Sequence, residues 1–180
     1  MLEEKDVKKG ERWILKAFEV MKYDPKFRDS EGNYTKEEWT TFDDIGKQID
    51  NTKLSFNDYK LVEDRYIQAV EILFNYYDCN KIQFVKERFF LDADDIGEVM
   101  DKELELFYFK LQKRRTLSLE ETLNAVKLIL RGAVTGMFYA KRQKQIAVRF
   151  GYDFYMYFNA PDAEDIRKKI EKETGLYTTR

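Results

Sequence analysis

Residues 146–158 read IAVRFGYDFYMYF and decide the fold class that the sequence predicts. Six of these thirteen residues are aromatic, and they lie on both sides of a single glycine. Ile146, Val148 and Phe150 occupy alternate positions, and a strand directs alternate side chains to opposite faces. We therefore expect strands that reverse at Gly151, with one apolar face packed against helices.

The sequence around this stretch continues the same architecture. Three short strands are predicted as an antiparallel meander: 137–140, 145–150 and 154–158. A final helix should follow, because Pro161 suits a first helical turn and Ile166 and Ile170 share one apolar side. Gly175 then provides the C-terminal stop.

Helical periodicity dominates the chain before this region. Apolar residues recur every three or four positions in four segments, which predicts helices at 11–23, 58–77, 92–111 and 118–131. Ser55 or Asn57 can cap the second helix, and Ser118 with Glu121 matches a capping box. The same pattern at 35–38 predicts a short helix or turn, and the alternation at 81–86 predicts a short strand.

This order of elements predicts an α+β fold. N-terminal helices should pack with a small C-terminal antiparallel β-sheet, the three-stranded meander, followed by the final helix. No flexible linker interrupts the chain, so we expect a single domain over residues 1–180. Its helical part should cover about 1–117 and its helix–sheet–helix part about 118–180.

Composition predicts a cytoplasmic protein. The 180 residues carry a net charge of -2, which argues against a nucleic-acid binder that relies on phosphate neutralisation. Cys79 is the single cysteine, so no intramolecular disulfide can form, and a reducing compartment is expected. The charged N-terminus predicts no secretory signal, and no apolar run approaches the roughly 20 residues that span a bilayer.

The residues available for catalysis are few. The sequence contains no histidine, which removes the usual general base and the commonest ligand of catalytic zinc. Its eight glycines form no phosphate-binding loop, and Cys79 has no histidine to activate it. We therefore predict a protein that is not an enzyme and needs no cofactor or metal.

Two groups of carboxylates remain as candidates for function: Asp43 with Asp44, and Asp92, Asp94 and Asp95 with Glu98. Oxygen ligands of this kind can bind a hard cation or act as acid and base. Helix capping and solvation are the favoured interpretation, because Asp residues at a helix start are stabilised by the helix dipole. An acidic surface that faces a partner is the second interpretation, and a carboxylate-dependent enzyme the third.

Several segments together resemble bacterial immunity proteins that are encoded beside polymorphic toxins, including those of contact-dependent growth inhibition systems. The resemblance is carried by EWTTFDDIG at 38–46, LSFNDY at 54–59, VEDRY at 62–66, ILR at 129–131, FGYDFYMY at 150–157 and GLY at 175–177. It implies a non-enzymatic cytoplasmic protein that binds one cognate toxin domain and blocks its active site or substrate path. Many such toxins are nucleases with basic clefts.

This resemblance suggests acidic residues for docking and aromatic residues as anchors. The expected toxin-binding residues are Trp39, Asp43, Asp44, Asp92, Asp94, Asp95, Glu98, Tyr152 and Tyr155. The alternative is a nucleic-acid-binding accessory protein that uses the basic and aromatic C-terminal sheet, where Arg142, Lys144 and Arg149 lie among aromatic side chains. No glycine-aromatic signature of RNA recognition accompanies them.

Overall fold

Four α-helices, two 3₁₀ helices (Pro25–Phe27 and Phe42–Asp44), a seven-stranded antiparallel sheet and a two-stranded hairpin form the described part of the molecule. A computed structural model describes residues 17–90, 100–142, 146–161 and 163–179. Within these ranges the strands are β1 (Ala17–Met21), β2 (Gln48–Ile49), β3 (Thr52–Lys53), β4 (Ile82–Phe89), β5 (Thr116–Leu117), β6 (Val134–Ala140), β7 (Ala147–Phe150), β8 (Met156–Asn159) and β9 (Tyr177–Thr179). The helices are α1 (Phe56–Tyr76), α2 (Lys102–Leu111), α3 (Leu119–Leu130) and α4 (Ala163–Thr174).

The strands of the main sheet follow the order β5-β4-β6-β7-β8-β1-β9, and β2 and β3 form a separate hairpin. Every neighbouring pair is antiparallel. Strand β1 lies between β8 and β9, so that Phe18 is opposite Phe158 and Glu19 is opposite Thr179. The first described strand is therefore held by the last part of the chain.

The predicted small three-stranded sheet is wrong, although its meander is confirmed as β6, β7 and β8. Four further strands extend it on both sides. The helix predicted over residues 11–23 is also wrong where it is described, because residues 17–21 form β1. There Phe18 and Val20 are buried and Glu19 is not. Residues 11–16 lie outside the described ranges.

The helices predicted at 58–77, at 118–131 and after Pro161 are confirmed as α1, α3 and α4. Ser55 caps α1, since its hydroxyl accepts a hydrogen bond from the amide of Asp58, and Ser118 caps α3 in the same way. The helix predicted over 92–111 is wrong at residues 100 and 101, because Asp101 is the extended N-cap of α2; residues 92–95, where its start was predicted, lie outside the described ranges. The short helix or turn predicted to follow residues 35–38 is a 3₁₀ helix at Phe42–Asp44 with Thr41 as its N-cap. Thr35 is not its cap, because the Thr35 hydroxyl donates to the carbonyl of Phe27.

The core lies between the helices and one face of the sheet. Phe18, Phe84, Phe138 and Phe158 are at most 1% exposed and pack with α1 and α3 in one cluster. In this core the Phe84 ring of β4 packs directly on the backbone of Gly136 in β6. A Cβ added at Gly136 would lie 2.5 Å from that ring. Among the described helices, none combines the length and the apolar composition needed to cross a membrane.

Candidate functional site

A groove of about 260 Å³ opens at the end of the sheet where β7 turns into β8. Three segments line it: residues 40–43, the C-terminal end of α3 at residues 129–132, and the β7–β8 hairpin at residues 150–156. The groove therefore collects residues that are far apart in sequence at the end of the core.

The tip of the hairpin is a tight turn with two left-handed residues. Asp153 has φ 52° and Phe154 has φ 60°, and the amide of Tyr155 donates to the carbonyl of Tyr152 at 3.1 Å. These are the features of a type I′ turn, whose twist matches that of the flanking strands. Phenylalanine is uncommon in this conformation, because its Cβ crowds the following carbonyl.

Two buried tyrosines form hydrogen bonds to the backbone of this turn. The hydroxyl of Tyr23 donates to the carbonyl of Asp153 at 2.7 Å, and that of Tyr66 donates to the carbonyl of Phe154 at 2.6 Å. Burial is the main cause that raises the pKa of both hydroxyls above the usual value, so they remain protonated donors at neutral pH. The backbone of the tip is thus fixed to the core.

The Phe154 side chain completes this support. Its ring is 8% exposed and lies 5.0 Å from the ring of Trp39, 5.5 Å from Tyr66 and 6.0 Å from Tyr59. Trp39, which was predicted as a toxin contact, is half-buried and also lies 4.2 Å from the Lys22 ammonium. It acts as a support of the hairpin.

The two tyrosines predicted in the turn differ in environment. Tyr152 is 91% exposed, and its ring makes no contact with another ring among the described residues. Tyr155 is half-buried: its ring stacks on Tyr23 with centroids 5.3 Å apart, and its hydroxyl accepts a hydrogen bond from Arg28 at 2.5 Å. Tyr152 is therefore available to a partner, whereas Tyr155 is committed to the scaffold.

The two adjacent aspartates of the opposite wall also differ. The Asp44 carboxylate accepts hydrogen bonds from the amides of Thr40 and Thr41 and pairs with Lys47 at 2.9 Å. Partial burial opposes its ionisation, but these bonds outweigh that effect and lower its pKa. Asp43 lines the groove, is exposed, and pairs with no cation of the described chain. It is the free carboxylate of this wall.

Arg131 also lines the groove, at the C-terminal end of α3. Its guanidinium donates two hydrogen bonds to the carboxylate of Glu63, at 2.7 and 2.8 Å, and the Glu63 side chain is 1% exposed. Tyr59 donates a further hydrogen bond to Glu63 at 3.2 Å. The pair joins α1 to the end of α3, and it neutralises the charge of Arg131 inside the groove.

Of the predicted residues, Asp43, Tyr152 and Tyr155 line the groove, whereas Trp39 and Asp44 are next to the lining residues 40–43 in sequence but do not line it. Asp92, Asp94, Asp95 and Glu98 fall outside the described ranges. Sequence reasoning missed Arg131 and Phe154 as parts of the site. The charge of Arg131 just after a helix was a weak signal, and the pair Asp153–Phe154 lacks the glycine that usually marks such a turn.

The residues predicted for nucleic-acid binding do not form one surface. Of the aromatic residues near these cations, Phe138 is in the core and Tyr152 is at the hairpin tip, while Lys144 lies outside the described ranges. Arg149 instead lies on the sheet face opposite the helices, and its guanidinium is 5.9 Å from the centre of the Tyr157 ring. These two residues and Glu87 line a shallow pocket on that face. Within the described residues, no group of three carboxylate or cysteine side chains is placed to hold a metal ion.

Comparison with known proteins identified no relative: no protein-family model, curated protein or solved structure matches the chain.

Proposed function

We propose that this chain is an immunity protein that binds and neutralises a cognate bacterial toxin domain through the groove at the β7–β8 hairpin. The observation that carries the proposal is the contrast at Tyr152. This large side chain is 91% exposed, while the backbone that presents it is held by two buried hydroxyls. A rigid, exposed aromatic residue loses little conformational entropy on binding, which is why tyrosine is common among interface anchors.

The charge of the groove supports a basic partner. Among the described residues, Asp43 presents a carboxylate without an ion-pair partner on one wall, and Arg131, the one cation that they contribute to the lining, is paired with Glu63. Such a surface favours a partner with a basic cleft, as nucleases have, and accelerates its association. Binding across the mouth of that cleft would block the toxin's active site or substrate path.

Co-expression with the toxin domain encoded by the neighbouring reading frame tests the proposal. We expect a complex that survives purification, and growth of cells that the toxin alone would arrest. Tyr152→Ala and Asp43→Asn should each weaken both outcomes. Tyr76→Ala is a matched control, because Tyr76 is 42% exposed at the far end of α1. Absence of both complex and protection would overturn the proposal.

The same purified protein tests the second candidate, a nucleic-acid-binding accessory protein. The juxtaposition of Arg149 and Tyr157 on the outer sheet face supports that candidate. It predicts salt-dependent binding of single-stranded oligonucleotides that is weakened by Arg149→Ala and unchanged by Tyr152→Ala. Protection against the toxin that persists in Arg149→Ala would separate the two functions.

A further inference from the structure

Helix α2 carries apolar side chains on two faces. Leu104, Phe107, Tyr108 and Leu111 are buried on the side that packs toward the core. On the opposite side Leu106 is 72% exposed and Phe109 is 46% exposed. Residues three positions apart are neighbours on a helix surface, so these two side chains form one apolar patch.

This patch differs from an isolated exposed residue. Leu61 on α1 is 62% exposed, but its neighbours three and four positions away are polar: Asn57, Asp58, Asp64 and Arg65. Single exposed leucines of that kind are ordinary features of protein surfaces. On α2 the corresponding neighbours Lys102, Glu103 and Lys110 are also charged, but the fourth is Phe109. Two exposed apolar side chains that lie together within a charged rim indicate a contact surface.

Two opposite charges flank the α2 patch on the same edge. Glu103 and Lys110 are seven positions apart, which is about two turns of an α-helix, so they lie nearly in line along the axis. Both are exposed, and neither forms an ion pair within the described chain. Leu106 lies about midway between them.

We infer that α2 is a dimerisation helix that packs antiparallel against α2 of a second copy of this chain. A twofold axis near Leu106 places this leucine against Leu106 of the second copy, with the two Phe109 rings on either side. The same axis places each Glu103 opposite Lys110 of the other copy, which gives two identical ion pairs. A parallel arrangement would instead bring like charges together, and like charges repel.

The expected dimer is weak. A single pair of ten-residue helices buries less than the about 1,200 Å² at which stable interfaces begin, and interfaces of that size are transient. The dimer should therefore dissociate on dilution, and it does not involve the hairpin groove. The inference stands whether or not the chain binds a toxin.

Sedimentation equilibrium of the full chain, from roughly 10 µM to 1 mM, tests the inference over the range of weak dissociation constants. We expect the mass to rise with concentration from 21.7 kDa toward twice that value. Leu106→Glu should weaken association by about tenfold or more, because it removes apolar contact from both copies. Leu61→Glu is the matched control and should not change it. A wild-type chain that stays monomeric throughout would overturn the inference.

Charge reversal tests the antiparallel arrangement. Glu103→Lys and Lys110→Glu should each weaken the dimer, because either variant places like charges opposite each other. The double variant restores two attractive pairs, and we expect its dissociation constant to return to that of the wild type. A double variant that is weaker than both single variants would contradict this register. Circular dichroism of each variant confirms that the chain remains folded.

Discussion

The hydroxyl of Tyr66, in the middle of α1, donates a 2.6 Å hydrogen bond to the backbone carbonyl of Phe154 at the hairpin tip. The same hydroxyl oxygen accepts a 2.7 Å hydrogen bond from the amide of Lys22, just after β1. One fully buried side chain thus joins three parts of the chain. It connects the core to the left-handed turn that presents Tyr152.

Tyr66→Phe should destabilise the protein more than the loss of an average hydrogen bond. The variant leaves the Lys22 amide and the Phe154 carbonyl without their partner in the core, and a buried unsatisfied group costs about 1–3 kcal/mol. We expect a lower free energy of unfolding in chemical denaturation, with little change in the dependence on denaturant. A variant as stable as the wild type would show that the turn does not need this bond.

Arg131→Met should destabilise the protein by about 3–5 kcal/mol, because the buried carboxylate of Glu63 loses its cation. Adding Glu63→Leu removes the uncompensated charge, so the double variant should be more stable than Arg131→Met alone. Denaturation of both single variants and the double variant gives the coupling energy directly. Additive losses would argue against a coupled pair.

Tyr152 and Tyr155 should separate binding from stability. Tyr152→Ala should change the free energy of unfolding by no more than about 0.5 kcal/mol, as is usual for exposed positions, while toxin binding weakens by about tenfold or more. Tyr155→Phe removes the acceptor of Arg28 and should destabilise by about 1 kcal/mol. Its affinity for the toxin, measured by calorimetry below the unfolding temperature, should be unchanged. If Tyr155→Phe weakened toxin binding and Tyr152→Ala did not, Tyr155 rather than Tyr152 would be the toxin contact.

Gly136→Ala should destabilise the sheet by about 1–3 kcal/mol through overpacking. The added Cβ would lie 2.5 Å from the Phe84 ring and 2.6 Å from the Val85 carbonyl oxygen, and the backbone oxygen cannot move without disturbing β4. Thr135→Ala, at the neighbouring position on the other face, is the control and should cost much less. Thermal unfolding of the two variants measures the difference.

Stability should fall at alkaline pH. Burial and the hydrogen bond to Glu38 raise the pKa of Tyr34 from 10.0 to about 12. Between these values the unfolded chain loses the proton and the folded chain retains it, so the contribution to stability is lost as pH rises from about 10 to about 12. Tyr34→Phe cannot ionise, and its melting temperature should decline less steeply over this range. If the melting temperatures of variant and wild type declined equally with pH, the raised pKa of Tyr34 would be contradicted.

Local signals in the sequence predicted α1, α3, α4 and the meander, whereas the segment predicted as a helix at 11–23 is a strand over its described part. Ser55 and Ser118 cap α1 and α3 because capping is decided by residues within one turn of each other. The run at 146–158 formed strands because its alternation is local too. The fold class α+β followed from these elements.

The rest of the sheet depended on partners that are far away in sequence. Strand β1 is short and begins in a segment whose apolar residues also fit a helix, and it becomes a strand because β8 and β9 pair with both of its edges. Strand β6 begins at Val134, three residues before the predicted start, because Gly136 is not a typical strand residue. Its lack of a side chain lets the Phe84 ring pack on its backbone. The candidate site shows the same limit: Asp43 and Tyr152 were both predicted as toxin contacts, but the groove that they share arises from tertiary packing and could not be predicted.

The position of β1 between β8 and β9 also constrains synthesis of the chain. Glu19 and Thr179, 160 positions apart, are joined by a side-chain hydrogen bond. Because translation proceeds from the N-terminus, β1 leaves the ribosome long before either of its neighbours exists. Both of its edges are open until residues 156–159 emerge, and the edge that pairs with β9 stays open until residues 177–179 follow. The sheet is therefore complete only after residues 177–179 have been synthesised, and a chain that is interrupted before residue 177 keeps one edge of β1 unpaired.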